Sequence, residues 1–169
     1  DGLVDILFSQ EDSYQATYIN NGNGWDNDSG YYIPVYFATK DGGDNGVRIE
    51  DANGDDLLDL FYAKDNDWNN RKVYINKGNG TGWLENKLYD IPQPFIFESG
   101  TNDNGVRLAD INGDGLVDFL YNNGSAPVSS NNHSNNKVYT HKGKVPELLH
   151  KFYNSKGGNA QIDYKSSTY

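Results

Sequence analysis

Two stretches of this 169-residue chain set oxygen-bearing side chains at alternate positions of a short, glycine-rich loop. In the first, Asp51, Asn53, Asp55 and Asp59 fall at loop positions 1, 3, 5 and 9; in the second, Asp110, Asn112, Asp114 and Asp118 do the same. Alternate residues of a curled loop point inward, so these side chains are expected to converge. The backbone carbonyl at position 7, from Leu57 or Leu116, would complete each set. Three carboxylates and an amide are hard, anionic donors, and they suit Ca²⁺, which takes six to eight oxygens at about 2.3–2.6 Å, better than a soft transition metal. Gly54, Gly113 and Gly115 permit the curl. Asp56 stands where the second loop has Gly115, so the first complete loop is expected to be the more strained and the weaker binder. Asp1 and Asp5 repeat the back half of the pattern and are read as half of another site, whose first positions would lie upstream.

Three other chemistries compete for the same residues. An EF-hand needs Glu at position 12 and flanking helices, but position 12 is Tyr62 and Tyr121, and the equivalent residue after Asp1 is Phe8. A metal-free Asx-rich turn is a ready reading of one copy, and two copies that keep every oxygen position make it the minority reading. Paired catalytic carboxylates lack a partner base: His133, His141 and His150 sit in unrelated contexts, and no nucleophile pattern forms around them. No catalytic residue is therefore assigned, and the segment is not expected to be an enzyme. Trp25 and Trp83 occupy repeat positions, which favours packing roles. Trp68 is the better candidate for an exposed contact, and Asp26, Asp28, Asp41 and Asp44 are read as solvated loop acids.

The elements that must hold these loops repeat with them. Asn45-Gly46-Val47-Arg48-Ile49-Glu50-Asp51 is matched 59 residues later by Asn104-Gly105-Val106-Arg107-Leu108-Ala109-Asp110. Tyr18-Ile19-Asn20-Asn21-Gly22-Asn23-Gly24-Trp25 returns as Tyr74-Ile75-Asn76-Lys77-Gly78-Asn79-Gly80 with Trp83, and in worn form as Val138-Tyr139-Thr140-His141-Lys142-Gly143. Ile33-Pro34 answers Ile91-Pro92. Period-two alternation, as in Lys72-Val73-Tyr74-Ile75, predicts short strands, placed for the second unit at residues 57–63, 72–76, 88–91 and 105–109. Four antiparallel strands per unit at a fixed period predict an all-β fold of β-propeller blades with Ca²⁺-binding loops, part of a larger ring. The division expected is a propeller segment over 1–143, with units of about 1–54, 55–113 and 114–143, and junction strands over 144–169. An Asn/Ser-rich insert over 122–136 reads as a surface loop, and a helical turn or two is allowed near Pro146.

Composition narrows the function classes. The chain has 24 acidic against 14 basic residues, a net charge of −10, which repels nucleic acid and anionic membranes and attracts cations. With no cysteine, disulfides and thiolate metal sites are excluded. No run of about 18 apolar residues is present to span a bilayer as a helix. A chain without methionine that opens in mid-motif is expected to be a piece of something longer.

Asp110-Ile111-Asn112-Gly113-Asp114-Gly115-Leu116-Val117-Asp118, preceded by Val106-Arg107-Leu108-Ala109, resembles the FG-GAP or VCBS repeat of integrin-α-like propellers, over residues 1 to about 143. That resemblance implies Ca²⁺ at the loop positions above. Lys144-Val145-Pro146-Glu147-Leu148-Leu149-His150-Lys151-Phe152, Asn154-Ser155-Lys156-Gly157-Gly158 and Gln161-Ile162-Asp163-Tyr164-Lys165-Ser166-Ser167-Thr168 are similar to the junction into an RHS/YD-repeat shell, as in the B component of insecticidal Tc toxin complexes. Phe152-Tyr153-Asn154 and Lys156 depart from that pattern. The likeness implies a secreted or cell-surface bacterial protein whose propeller docks on a translocation channel or surface receptor and on the remainder of its own chain. Any payload would lie downstream. The alternatives are a cell-surface adhesin or carbohydrate-binding propeller and, behind it, a propeller polysaccharide lyase or hydrolase.

Overall fold

A computed structural model describes residues 2–65, 67–97, 102–122, 136–143 and 151–162. Every regular element among them is a strand except one 3₁₀ turn at Trp68–Asn70. β1 (Ile6–Ser9), β2 (Gln15–Asn20) and β3 (Trp25–Asn27) form one antiparallel sheet. β4 (Val47–Glu50), β5 (Asp59–Ala63), β6 (Arg71–Asn76) and β7 (Trp83–Glu85) form the second and fullest. β8 (Ile96–Phe97) pairs with β9 (Asn102–Asp103), and the third sheet joins β10 (Val106–Ala109), β11 (Asp118–Asn122) and β12 (Asn136–Tyr139). β13 (Lys151–Tyr153) and β14 (Asn159–Gln161) make a separate hairpin about the Asn154 turn.

β5 shows why the sheets stack. Successive side chains of a strand point to opposite faces, so a strand buried on both sides must be apolar throughout. Phe61 and Ala63 enter the core shared with the third sheet, where the Phe61 ring meets Phe119 edge-on at 5.9 Å. Leu60 and Tyr62 turn the other way, towards Ile33, Val35 and Leu7 of the first repeat. One sheet thus closes two cores, and the repeat fixes which partner lies on each side.

Two expectations about strands change. Residues 88–91 are not a strand; the fourth strand is Trp83–Glu85. The Asn86 side chain caps the Leu88 amide (3.0 Å) in a turn, and Tyr89 and Ile91 then enter the core between the second and third sheets as a connector. Pro92 follows, and it has no N–H for a ladder. Residues 105–109 do form a strand, β10, but it opens the third sheet instead of closing the second. The hydrogen-bonded unit therefore runs from Val47 to Glu85, in a different phase from the 55–113 division of the repeat. The expected turn near Pro146, the strand end at 163–168 and most of the 122–136 insert lie outside the described residues.

Asp44 is more than a solvated acid. It accepts the Gly46 amide at 2.7 Å and pairs with Arg48 at 2.9 Å, and Asp103 repeats this with Gly105 and Arg107. Gly46 has a φ of +77°, and a Cβ there would sit 2.7 Å from the Ala63 carbonyl oxygen. Only glycine lets the chain enter β4 this close to the end of β5.

Candidate metal centre

Each complete loop links the first two strands of a sheet, between β4 and β5 and between β10 and β11. The flanking strands, with no helix on either side, fit the exclusion of an EF-hand. Within the first loop the Asp51 carboxylate gathers backbone amides: Oδ1 accepts from Gly54 at 2.6 Å and Oδ2 from Asp56 at 2.8 Å. Asn53 Oδ1 takes the Asp55 amide, its Nδ2 donates to Asp55 Oδ2 at 3.0 Å, and Asp55 Oδ1 takes the Leu57 amide at 2.9 Å. The second loop repeats this almost bond for bond through Asp110, Asn112, Asp114 and the Leu116 amide.

Asp59 and Asp118 stand apart from the others. Both are fully buried, with 0% exposure. Asp59 Oδ2 accepts the Ala52 amide at 2.9 Å and Oδ1 the Asn76 amide at 2.7 Å, tying loop, second strand and third strand together. Asp118 accepts the Ile111 and His141 amides in the same way, His141 lying just past the end of β12. Asp5 accepts the Asn20 amide at 2.8 Å, so one bond of the staple recurs in the first sheet, while Asp1 lies outside the described residues. This long-range staple is the feature sequence reasoning missed. Its signal was present in the order of the two phrases, each ninth-position Asp being followed by the turn phrase that holds Asn20, Asn76 or His141.

The same phrase explains the tryptophans. The Trp83 indole N–H donates to the Leu58 carbonyl at 2.9 Å, and Trp25 donates to Val4 at 3.0 Å, so each indole caps the loop exit one residue before the staple. Trp83 is 8% exposed and meets Tyr31 edge-on at 5.5 Å. Trp25 is 52% exposed, against the packing role expected of it, because no described sheet lies in front of the first. Trp68 is 61% exposed, with the Arg71 guanidinium 3.8 Å from its ring centre.

The electrostatics of the first loop are uncompensated. Burial pushes the Asp59 carboxyl up to about 6, and the Asp55 and Asp51 charges add to the rise against the pull of its two amide bonds. The phenol of Tyr89 is pushed up as well, by burial first and then by Asp59, Asp51 and Asp55. The ion pairs found among the described residues lie at Asp44, Glu85 and Asp103, none of them in a loop. In donor chemistry alone, oxygen atoms with excess negative charge, the set suits a hard dication, and among the described residues no ion pair engages it. As placed, the side chains lean on loop amides, and among the described residues no three acidic or histidine side chains group closely enough to hold an ion.

A cleft of about 730 Å³ opens between the second and third sheets, lined by Tyr89, Ile91, Val117, Phe119 and Tyr139. His141 lies at its edge, stacked on Tyr89, with Nδ1 accepting the Gly143 amide at 3.1 Å. It takes the place of Asn20 and Asn76 in the repeat, whose side chains cap the same turn at Gly22 and Gly78. His133 and His150 lie outside the described residues.

No curated protein and no solved structure matches the chain. Residues 51–121, which contain both complete loops and the strands between them, match the family model described as the FG-GAP-like repeat.

Proposed function

We propose that the chain is a calcium-stabilised, non-catalytic β-propeller segment of a large secreted or surface-exposed bacterial protein of the RHS/Tc-toxin type, serving protein–protein docking and scaffolding. Asp51, Asn53, Asp55, Asp59 and the Leu57 carbonyl would hold one Ca²⁺; Asp110, Asn112, Asp114, Asp118 and the Leu116 carbonyl would hold another. The ion would supply charge neutralisation and cross-linking of loop to strand, with no part in a reaction. The observation that carries this reading is a twice-repeated acidic loop that makes no ion pair among the described residues, at the same strand junction of successive stacked sheets. Docking and the RHS/Tc context are supported by the sequence resemblance alone.

Extracellular calcium modules bind at about 10⁻⁴–10⁻³ M, so the test is calorimetry and thermal melting at millimolar Ca²⁺ against EDTA. EDTA should lower the melting temperature, Ca²⁺ should restore it, and Asp114→Ala should remove one equivalent of bound ion. Unchanged stoichiometry in Asp114→Ala, or melting indifferent to Ca²⁺, would overturn the loop assignment. Downstream YD repeats in the full reading frame would support the toxin-like context, and their absence would remove it. A second reading, a carbohydrate-binding propeller, draws on the exposed Trp25 and Trp68 rings, and a glycan array tests it.

A further inference from the structure

Asn-Gly pairs occur eight times in the chain, and the fold sorts them. Glycine leaves its own amide nitrogen unhindered, so in such a pair that nitrogen can attack the asparagine side chain. In four pairs the glycine amide is held by a carboxylate: Gly46 by Asp44, Gly54 by Asp51, Gly105 by Asp103 and Gly113 by Asp110, at 2.6–2.7 Å. Gly22 is held by the Asn20 side chain. Asn45 and Asn104 are also buried, with their side-chain amides donating to the Tyr36 and Pro94 carbonyls. Asn123 lies outside the described residues. That leaves Asn23-Gly24 and Asn79-Gly80, both asparagines exposed on hairpin tips, whose glycine amides make no hydrogen bond among the described residues.

Only one of the two has its carbonyl polarised. Asn79 Oδ1 accepts both the Thr81 hydroxyl at 2.6 Å and the Thr81 amide at 3.1 Å. Those donors face the oxygen on which negative charge develops when a nucleophile adds to the side-chain carbon, and stabilisation there lowers the barrier. We propose that Asn79 is a self-modification site, converting spontaneously to aspartate and isoaspartate through a succinimide. The Gly80 nitrogen bonds to the Asn79 side-chain carbon, the bond to Nδ2 breaks, and ammonia leaves carrying the proton lost by Gly80. Water then opens the ring at either carbonyl. The product adds a negative charge to the β6–β7 hairpin, and the isoaspartyl form inserts a carbon into the main chain four residues before Trp83.

Folded protein held in mildly alkaline buffer, then peptide-mapped by mass spectrometry with an isoaspartate assay, tests this. Among the pairs in the described residues Asn79 should convert fastest, ahead of Asn23, with Asn45, Asn53, Asn104 and Asn112 slowest. Thr81→Val should slow Asn79 by about fivefold, on the order of one lost hydrogen bond, with Asn23 unchanged as the internal control; Thr81→Ser should restore the rate. Conversion of Asn79 no faster than that of Asn45 or Asn104, or indifferent to Thr81→Val, would overturn the proposal.

Discussion

Trp83 and Trp25 make the same bond in the same motif but differ in what lies behind them, so replacing each with alanine isolates the face-to-face packing of the sheets. Both variants lose an indole hydrogen bond to a loop carbonyl, a common term of about 1 kcal/mol. Trp83 is 8% exposed and Trp25 52% exposed. For a side chain of roughly 200 Å², that difference leaves about 90 Å² more of Trp83 withdrawn from water, or about 2 kcal/mol at roughly 25 cal/mol per Å². Trp83→Ala should therefore cost about 2 kcal/mol more than Trp25→Ala. For a chain of this size the melting temperatures should differ by about 4–8 °C. Urea melts followed by circular dichroism give the free energies, and fluorescence gives an independent check. Trp83→Ala should remove the blue-shifted component of the emission, and Trp25→Ala a red-shifted one. Equal costs for the two variants, or a larger cost at Trp25, would refute the packing of the second sheet against Tyr31 and Ile33.

In chelator, the buried Asp59 carboxyl, with a folded value of about 6 against an ordinary 3.8, contributes stability that is present below pH 3.8 and lost as pH rises through 6. The melting temperature should then fall between about pH 4 and 6, less so with millimolar Ca²⁺, and Asp59→Asn should flatten the chelator profile; a rise over that range would contradict it. Asp56 holds a φ of +64° where its counterpart Gly115 holds +82°. Asp56→Gly should gain roughly 0.5 kcal/mol in urea melts, because relief of left-handed strain and of one loop charge slightly outweighs the added freedom of the unfolded chain. Gly46→Ala meets both a positive φ and the Ala63 carbonyl, and should cost at least about 2 kcal/mol by the same measurement; a neutral result would show that the β4 entry is not fixed there.

Much of this molecule is local in origin. The alternation in Lys72-Val73-Tyr74-Ile75 became β6. The Asp-x-Asn-Gly-Asp spacing became two loops with matching bonds, because Asx side chains and glycine act within a few residues of themselves. The fourth strand was misplaced at 88–91 because Leu88, Tyr89 and Ile91 carry strand-like side chains, while the Asn86 cap and Pro92 deny them a ladder.

The sequence by itself determined the repeat, the chemistry of the loop oxygens and the two-fold period of the strands, since each depends on neighbours along the chain. Tertiary structure decided that Asp59 and Asp118 are buried staples to backbone amides 17 and 23 residues away. It also decided that Trp83 is enclosed while Trp25 faces solvent. Those outcomes depend on which sheet stands opposite, and burial is a property of the stack that no single repeat contains.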